Sequence, residues 1–346
     1  MAQNVTIAGN QYPSVPSIQI PKTGGGGNAT FTDTSPTTAS ASDVAQGKIF
    51  FDSTGSQQTG TASGGEDYAP ALIARTISGT YSNTTITKVG NYAFYGCSNL
   101  SYISLPAVTS IGASAFVACS KLKEAIFPNA TYVGQGAFYG CYSLITASFP
   151  NASTVRDSTF YNCTSLFSAF FSTASSIGTN AFYSCARLQT ADIPNAKSIG
   201  NTAFSGCTAL ASASFPSATF IGTSAFYACS TITNVIFPVA VSVGASAFYA
   251  CRSIAFVSFP LVNSLGAGVF RSCQKLESAY FLGSSVPTLG ANAFTSTPMS
   301  ASSWIGYWGS IFVKESLLAS FQAATNWSLY SARMVGLTDA QIEALS

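Results

Sequence analysis

Nine cysteines stand at Cys97, Cys119, Cys141, Cys163, Cys185, Cys207, Cys229, Cys251 and Cys273, every step 22 residues. Cysteine at fixed spacing suggests metal ligation, disulfides or a nucleophile, and each of these needs a partner. The chain has no histidine, which removes imidazole ligands and every Ser-His or Cys-His arrangement. A metal needs ligands that converge from different directions, whereas one equivalent position per repeat sets the thiols in a row. Nine is odd, so complete pairing within one chain is impossible, and constant spacing lacks the alternation that pairing would need. The cysteines therefore read as reduced, buried, small side chains. Paired carboxylates are the other source of chemistry, since glycosidases work with two. The candidates are Glu124, Asp157, Asp192 and Glu277. Glu124 and Asp192 are expected to share an outward strand position three repeats apart. At ~4.8 Å per layer that is about 14 Å, beyond the ~5–9.5 Å that either glycosidase geometry uses. No phosphate-binding or dinucleotide glycine motif is present, and the serines lack a base. The expectation is a protein with no catalytic residue, no cofactor and no metal.

What positions the cysteines is a repeat. A phenylalanine stands three residues before each one: Phe94, Phe116, Phe138, Phe160, Phe182, Phe204, Phe226, Phe248 and Phe270. Phe294 follows after 24, with Thr297 in the cysteine's place. Three residues after each cysteine comes Leu or Ile, as in Leu100, Leu122 and Ile232, followed by a short alternating stretch such as Ile103 and Leu105 before Pro106. An apolar residue then precedes glycine, as in Ile111-Gly112 and Ile199-Gly200, except in one copy, where the glycine is Arg156. One such unit cannot bury its own apolar side, but a stack of them can. The period predicts a solenoid with one short strand per repeat in a parallel sheet, proline ending each strand. The glycine is expected in a turn with positive φ. The return segment Ala113 to Cys119 is too short for an α-helix and is expected as a 3₁₀ or single-turn form.

The A-F-x-x-C-x-x-L core with its F-P and I-G pairs, as in Ala137-Phe138-Tyr139-Gly140-Cys141, Leu144 and Phe149-Pro150, resembles the BspA-like, treponemal-type leucine-rich repeats. The resemblance covers roughly residues 68–335. It implies a curved or twisted leucine-rich-repeat solenoid used for adhesion or binding rather than catalysis. The chain divides into residues 1–66, a degenerate cap repeat at 67–90 with Ile77 in its strand, repeats at 91–297 and a C-terminal cap at 298–346. The last part gathers Trp304, Tyr307, Trp308, Phe312, Phe321, Trp327 and Tyr330. Aromatics covering an open solenoid end are a simpler reading than a sugar platform. Lys314 to Ala324 is expected as an amphipathic helix with Leu317, Leu318 and Phe321 inward, and Thr338 as the cap of a short helix with Gln341 as its reciprocal partner.

Residues 1–66 lack the repeat. Short strands are expected at Ala29–Thr32 and Ile49–Asp52, a short helix at Ala41–Gln46, and flexible glycine tracts at Gly24–Gly27 and Gly64-Gly65. Thr30-Phe31-Thr32-Asp33-Thr34, Ala41 to Lys48, Gly55 and Thr59-Gly60-Thr61 resemble a segment of phage and prophage tail-associated proteins of Gram-positive gut bacteria. That resemblance implies an attachment segment contacting a tail component or further copies of itself, including as a trimer. It places the chain on a phage tail, made in the host cytoplasm. The alternative is a bacterial surface or secreted adhesin.

Composition narrows the partners. Charged residues make up 8% of the chain and the net charge is +2, with no basic stripe of the kind nucleic acid requires. No run reaches the ~20 apolar residues of a membrane span, and MAQNVTIAGNQ does not read as a signal peptide. A cell-surface protein or glycan remains. Its expected contact surface is the outward strand positions, with Tyr102, Ile126, Phe170, Ile236, Phe256 and Tyr280 as exposed apolar groups and Asp192 among them. These positions vary between repeats while the core does not; an idle surface would vary in the same way. A second stripe, Tyr95, Tyr139, Tyr161, Tyr183, Tyr227 and Tyr249, reads as structural cover, each ring over its neighbour.

Overall fold

The computed structural model describes residues 77–300 and 309–344, and before them the backbone of six short strands. Those six pair as three antiparallel couples: Gln3–Ile7 with Asn10–Val15, Ile18–Pro21 with Asn28–Phe31, and Ile49–Phe51 with Gln57–Thr59. The two strands expected from sequence are among them. The helix expected at Ala41–Gln46 and the glycines at 24–27 and 64–65 lie outside the described residues, as do Trp304, Tyr307 and Trp308.

From residue 79 the chain is a β-solenoid. The expected strand is present in each repeat, from Gly79–Ser82, Leu100–Ser104 and Glu124–Ile126 onward, and every pairing is parallel at matching positions, such as Ala147↔Ala169 and Val235↔Val257. In the cap repeat the strand begins after Ile77, which packs partly buried against the core, and Tyr81 takes the inward place. A second ladder adds to the first. The two residues before each glycine, as in Ser110–Ile111, Ser198–Ile199 and Ser264–Leu265, pair in parallel with their equivalents. Sequence alone marked this stretch only as an apolar residue before a turn.

The glycines that follow the second ladder are there for closeness, not for positive φ. A Cβ on Gly200 would fall 2.6 Å from the carbonyl carbon of Gly178 and 2.7 Å from the nitrogen of Thr179. Gly112, Gly134, Gly222, Gly244 and Gly266 meet the preceding layer in the same way. Arg156 breaks this rule, and the ladder breaks with it. One sheet ends at Tyr132–Val133, and only an isolated bridge, Val155↔Ile177, leads into the next. The Arg156 guanidinium lies 4.4 Å above the Tyr132 ring, a cation–π contact across the layers at which the ladder is interrupted. The first ladder is interrupted after Ile126 and after Asp192; no single residue accounts for those gaps.

Positive φ occurs instead in the return segment, and this corrects the expected 3₁₀ form. Tyr92, Ser114, Ser158, Thr202 and Ser246 are left-handed, as are Gly96, Ala118, Gly140 and Ala250 four residues on in their repeats. The alternation makes a chain of turns. The N–H groups of Ala93, Tyr95 and Cys97 donate back three residues, to Gly90, Tyr92 and Phe94. Those of Tyr92, Phe94 and Gly96 donate across to the carbonyls of Ala113, Ala115 and Val117 in the next layer. This third ladder runs without a gap to Gly268, Phe270 and Ser272, whose N–H groups reach Ala291, Ala293 and Thr295. The backbone is thereby satisfied on the side that carries the cysteines.

The core is two stacks of rings and one of thiols. Phe116 lies parallel on Phe138 at 5.0 Å between centroids, Phe204 on Phe226 at 5.2 Å, and the series continues to Phe294. Rings at the strand ends, such as Phe127 and Phe149 before prolines and Phe171 before Ser172, form a second stack set at an angle to the first. All nine cysteines are free and buried. They also act as donors: each Sγ from Cys119 to Cys273 donates to the carbonyl of the phenylalanine 25 residues before it, at 2.9–3.1 Å.

At the C-terminal end Ser310–Lys314 and Met334–Leu337 extend the first ladder. The expected helix from Lys314 is shorter, a 3₁₀ turn at Glu315–Leu317 followed by an α-helix at Leu318–Ala323, because Lys314 still belongs to the strand. Trp327 is fully buried against Phe281, Phe294 and Phe321, and its Nε1 donates to the Pro287 carbonyl at 2.7 Å. The helix Asp339–Glu343 carries the Thr338–Gln341 capping box.

Candidate binding face

The outward residues of the first ladder form two rows. One runs through Tyr102 and Glu124, then Thr146, Ser168 and Thr190, then Ser212, Asn234, Phe256 and Ser278. The other runs through Ser104 and Ile126, then Ser148, Phe170 and Asp192, then Ser214, Ile236, Ser258 and Tyr280. Phe170, Ile236 and Asp192 are exposed. Tyr102, Ile126, Phe256 and Tyr280 are half-buried rather than free, because neighbouring layers cover part of each. Glu124 and Asp192 lie in different rows rather than at one shared position, because Asp192 stands two residues further along its strand, and this adds to the separation expected from their layers.

The structure brings some of these residues together and leaves others apart. Phe256 and Tyr280 meet at 5.1 Å, and Tyr280 stacks on Phe312 at 4.5 Å. Val335, 40% exposed, follows Phe312 in register, and Ile236, 51% exposed, stands at the other end. Phe256, Tyr280, Phe312 and Val335 thus make one apolar strip along the C-terminal layers, with Ile236 two layers before Tyr280 on the same row. Sequence reasoning placed Phe312 in the cap and passed over Val335, since neither sits in a 22-residue unit. Tyr102 and Ile126 stand apart in the first layers.

The tyrosine stripe is stacked: Tyr139 on Tyr161 at 4.5 Å, Tyr161 on Tyr183 at 4.8 Å, and Tyr227 on Tyr249 at 5.0 Å. Each ring covers part of its neighbour. Exposed groups that escaped the sequence reading include Ile145 and Phe167. They sit one residue after the conserved leucine, just outside the alternating positions that a strand pattern draws attention to.

Among the described residues no group of three or more cysteines and carboxylates could hold a metal ion, and no helix is long and apolar enough to cross a membrane. The buried thiols are poor nucleophiles. Desolvation pushes Cys251 up to about 12 and Cys163, Cys207, Cys229 and Cys273 well above the ordinary 9.0.

Stacked short repeats in parallel register, each with a short strand led by leucine or isoleucine, define a leucine-rich-repeat solenoid. The model of the BspA-type leucine-rich repeat region matches residues 87–210 and 175–300, together more than half of the chain, and the protein belongs to that family. Similar solved structures include a leucine-rich-repeat protein from Bacteroides ovatus ATCC 8483 (19% identity, 93% of this chain and 99% of that one, TM-score 0.46). A leucine-rich cell surface protein from Faecalibacterium prausnitzii A2-165 is another (20% identity, 86% and 95%, TM-score 0.43). The leucine-rich-repeat protein of T. pallidum is 24% identical over 57% of this chain and 77% of its own, with a TM-score of 0.31. No curated protein matches the chain.

Proposed function

We propose that the protein is an adhesive module of a bacterial cell surface, binding a protein or glycan of a neighbouring cell or host through the outward face of its first ladder. The observation that carries this reading is the strip from Ile236 through Phe256, Tyr280 and Phe312 to Val335. Phe256, Tyr280 and Phe312 meet in succession, with exposed Val335 in register beside Phe312 and exposed Ile236 on the row of Tyr280, all on positions that the core leaves free to vary. Apolar groups gathered on an otherwise serine- and threonine-rich face suit a contact surface, and rigid aromatics give contact area at low entropic cost. Expected contacts elsewhere on the face are Phe170 and Asp192, with Tyr102 and Ile126 at its other end.

A second setting, the receptor-recognising part of a phage tail, draws on the resemblance of residues 30–61 to tail-associated segments. In that setting residues 1–66 would dock to a tail component or to further copies of the chain. Fractionating the producing bacterium separates the two: recovery with the cell envelope supports the surface adhesin, recovery with sedimenting phage particles supports the tail. For the binding face, full-length protein carrying Ile236→Ser, Phe256→Ser and Tyr280→Ser is compared with native protein for attachment to intact bacterial and epithelial cells. A drop of tenfold or more at unchanged circular dichroism supports the strip, and equal attachment refutes it.

A further inference from the structure

We infer that a second site, a shallow groove over the second to fifth repeats, takes an anionic oligosaccharide. Resting on the reading of the protein as an adhesive module, this adds the chemistry of a ligand. The groove has a volume of about 430 Å³ and is lined by Lys123, Ser143, Ile145, Ser165, Phe167 and Arg187. Its volume is in the range of sites for ligands of several hundred daltons.

The repeat explains the arrangement. Ser143, Ser165 and Arg187 occupy one position in three successive layers, two residues after the cysteine. Lys123, Ile145 and Phe167 occupy the position two residues further on, in layers displaced by one. The chain of backbone bonds Ile145 N–H to Lys123 carbonyl and Phe167 N–H to Ile145 carbonyl fixes the second wall. The result is a trough with hydroxyls on one side and apolar groups on the other. Ile145 is 49% and Phe167 46% exposed. A cation closes each end, Lys123 from one wall and Arg187 from the other.

Three features select the ligand. Lys123 and Arg187 are three layers apart, about 14 Å along the axis at ~4.8 Å per layer, and neither makes an ion pair among the described residues. The nearest carboxylates along the chain, Glu124 and Asp192, sit on the outward strand rows and make none there either. Uncompensated positive charge at both ends calls for a ligand with anionic groups spaced by more than one ring. The serine hydroxyls between them suit ligand hydroxyls or ring oxygens. Ile145 and Phe167 suit the apolar face of a pyranose, and unlike the stacked tyrosines Phe167 has no ring partner among the described residues. An acidic peptide would share the charges. It would also need strand or helix contacts, for which the trough offers no free backbone edge, since the Ile145 and Phe167 N–H groups are already bonded.

The test uses full-length protein and calorimetric titration with two probes, an oligogalacturonate of three to six units (carboxylates) and a heparin hexasaccharide (sulfates). Each is measured beside a neutral counterpart, carboxyl-reduced or desulfated. Expected are binding of at least one charged probe, no measurable binding of its neutral form, and weakening by tenfold or more in Lys123→Gln/Arg187→Gln and in Phe167→Ser. Which probe binds names the anionic group. Failure of both probes, equal binding of the neutral forms, or unchanged binding in both variants overturns the proposal. So does an acidic peptide captured through Lys123 and Arg187 with no sugar bound. The strip variant Ile236→Ser/Phe256→Ser/Tyr280→Ser separates the two readings. If cell attachment is lost in the strip variant and kept in Lys123→Gln/Arg187→Gln, while no probe binds, the groove fails and the adhesive module stands. If a probe binds but native protein attaches to no cell, the adhesive module fails and the groove stands.

Discussion

Raising the pH from 8 to 10 under reducing conditions should unfold this protein, and the thiol ladder is the reason. Eight of the nine cysteines, Cys119 to Cys273, have their ionisation pushed upward in the folded chain. Hydrogen bonding with the Cys141 thiol leads for Cys119, and burial leads for the other seven. The unfolded chain ionises each near the ordinary 9.0, so above that pH it binds fewer protons than the folded one and stability falls as pH rises. The stability is fully present below pH 9 and is lost between there and the folded values, which for Cys251 is about 12. At pH 10 each thiol held neutral costs about RT ln 11, or ~1.4 kcal/mol. Counting only Cys119, Cys163, Cys185, Cys207, Cys229, Cys251 and Cys273, the sum is about 10 kcal/mol, within the ~5–15 kcal/mol total stability of an ordinary domain. Tyr81, pushed up to about 12 by burial, acts in the same direction. The assay is urea unfolding by circular dichroism at half-unit steps of pH in a phosphine reductant, with Cys185→Ala/Cys207→Ala as the control. The double variant should lose about 2.8 kcal/mol less than native protein between pH 8 and 10. A native unfolding midpoint unchanged between pH 8 and 10, or a double variant with the same slope, would refute the reasoning.

The layers themselves supply further tests. Gly200→Ala drives a Cβ into the backbone of Gly178 and Thr179, whereas Gly140→Ala meets nothing nearer than the Tyr142 ring at 3.7 Å and suffers only from its φ of +69°. The first should cost ~3 kcal/mol or more and the second ~1 kcal/mol, read from urea midpoints. Cys185→Ser keeps a donor for the Phe160 carbonyl but buries a more polar hydroxyl, and should cost ~1–3 kcal/mol; titration of native protein with a thiol reagent at pH 7.5 should find few groups, and denatured protein about nine. Trp327→Ala removes the ring that closes the stack over Phe281 and Phe294 and leaves the Pro287 carbonyl without its donor. It should cost ~3–5 kcal/mol, with hydrogen exchange accelerating first in the last layers.

The solenoid was legible because its constraint is periodic. A side chain that must stack on its own copy recurs at one spacing, so Phe94 to Phe270 and Cys97 to Cys273 announce both the layer and its inward face. The same argument reaches only as far as side chains. The role of Gly200 was misplaced because closeness to Gly178 is a property of two layers, and one unit read alone suggests only a turn. The second strand was invisible for the same reason, since two residues have no pattern until their equivalents lie beside them. The left-handed residues Ser114, Ala118 and Thr202 were hidden by their type, for the bonds of the third ladder hold them there, and only the glycines at their places in other repeats, such as Gly136 and Gly140, hint at it. Binding residues are the limiting case. The core imposes nothing on Ile145, Phe167, Phe312 or Val335, so no spacing betrays them, and they become a surface only when the stack sets one layer's exposed side chain about 5 Å from the next. A repeat protein therefore writes its scaffold in its period and its recognition in the departures from it. The departure at Arg156 shows how far one can reach, for a single side chain in place of glycine interrupts a ladder and seats a guanidinium on Tyr132.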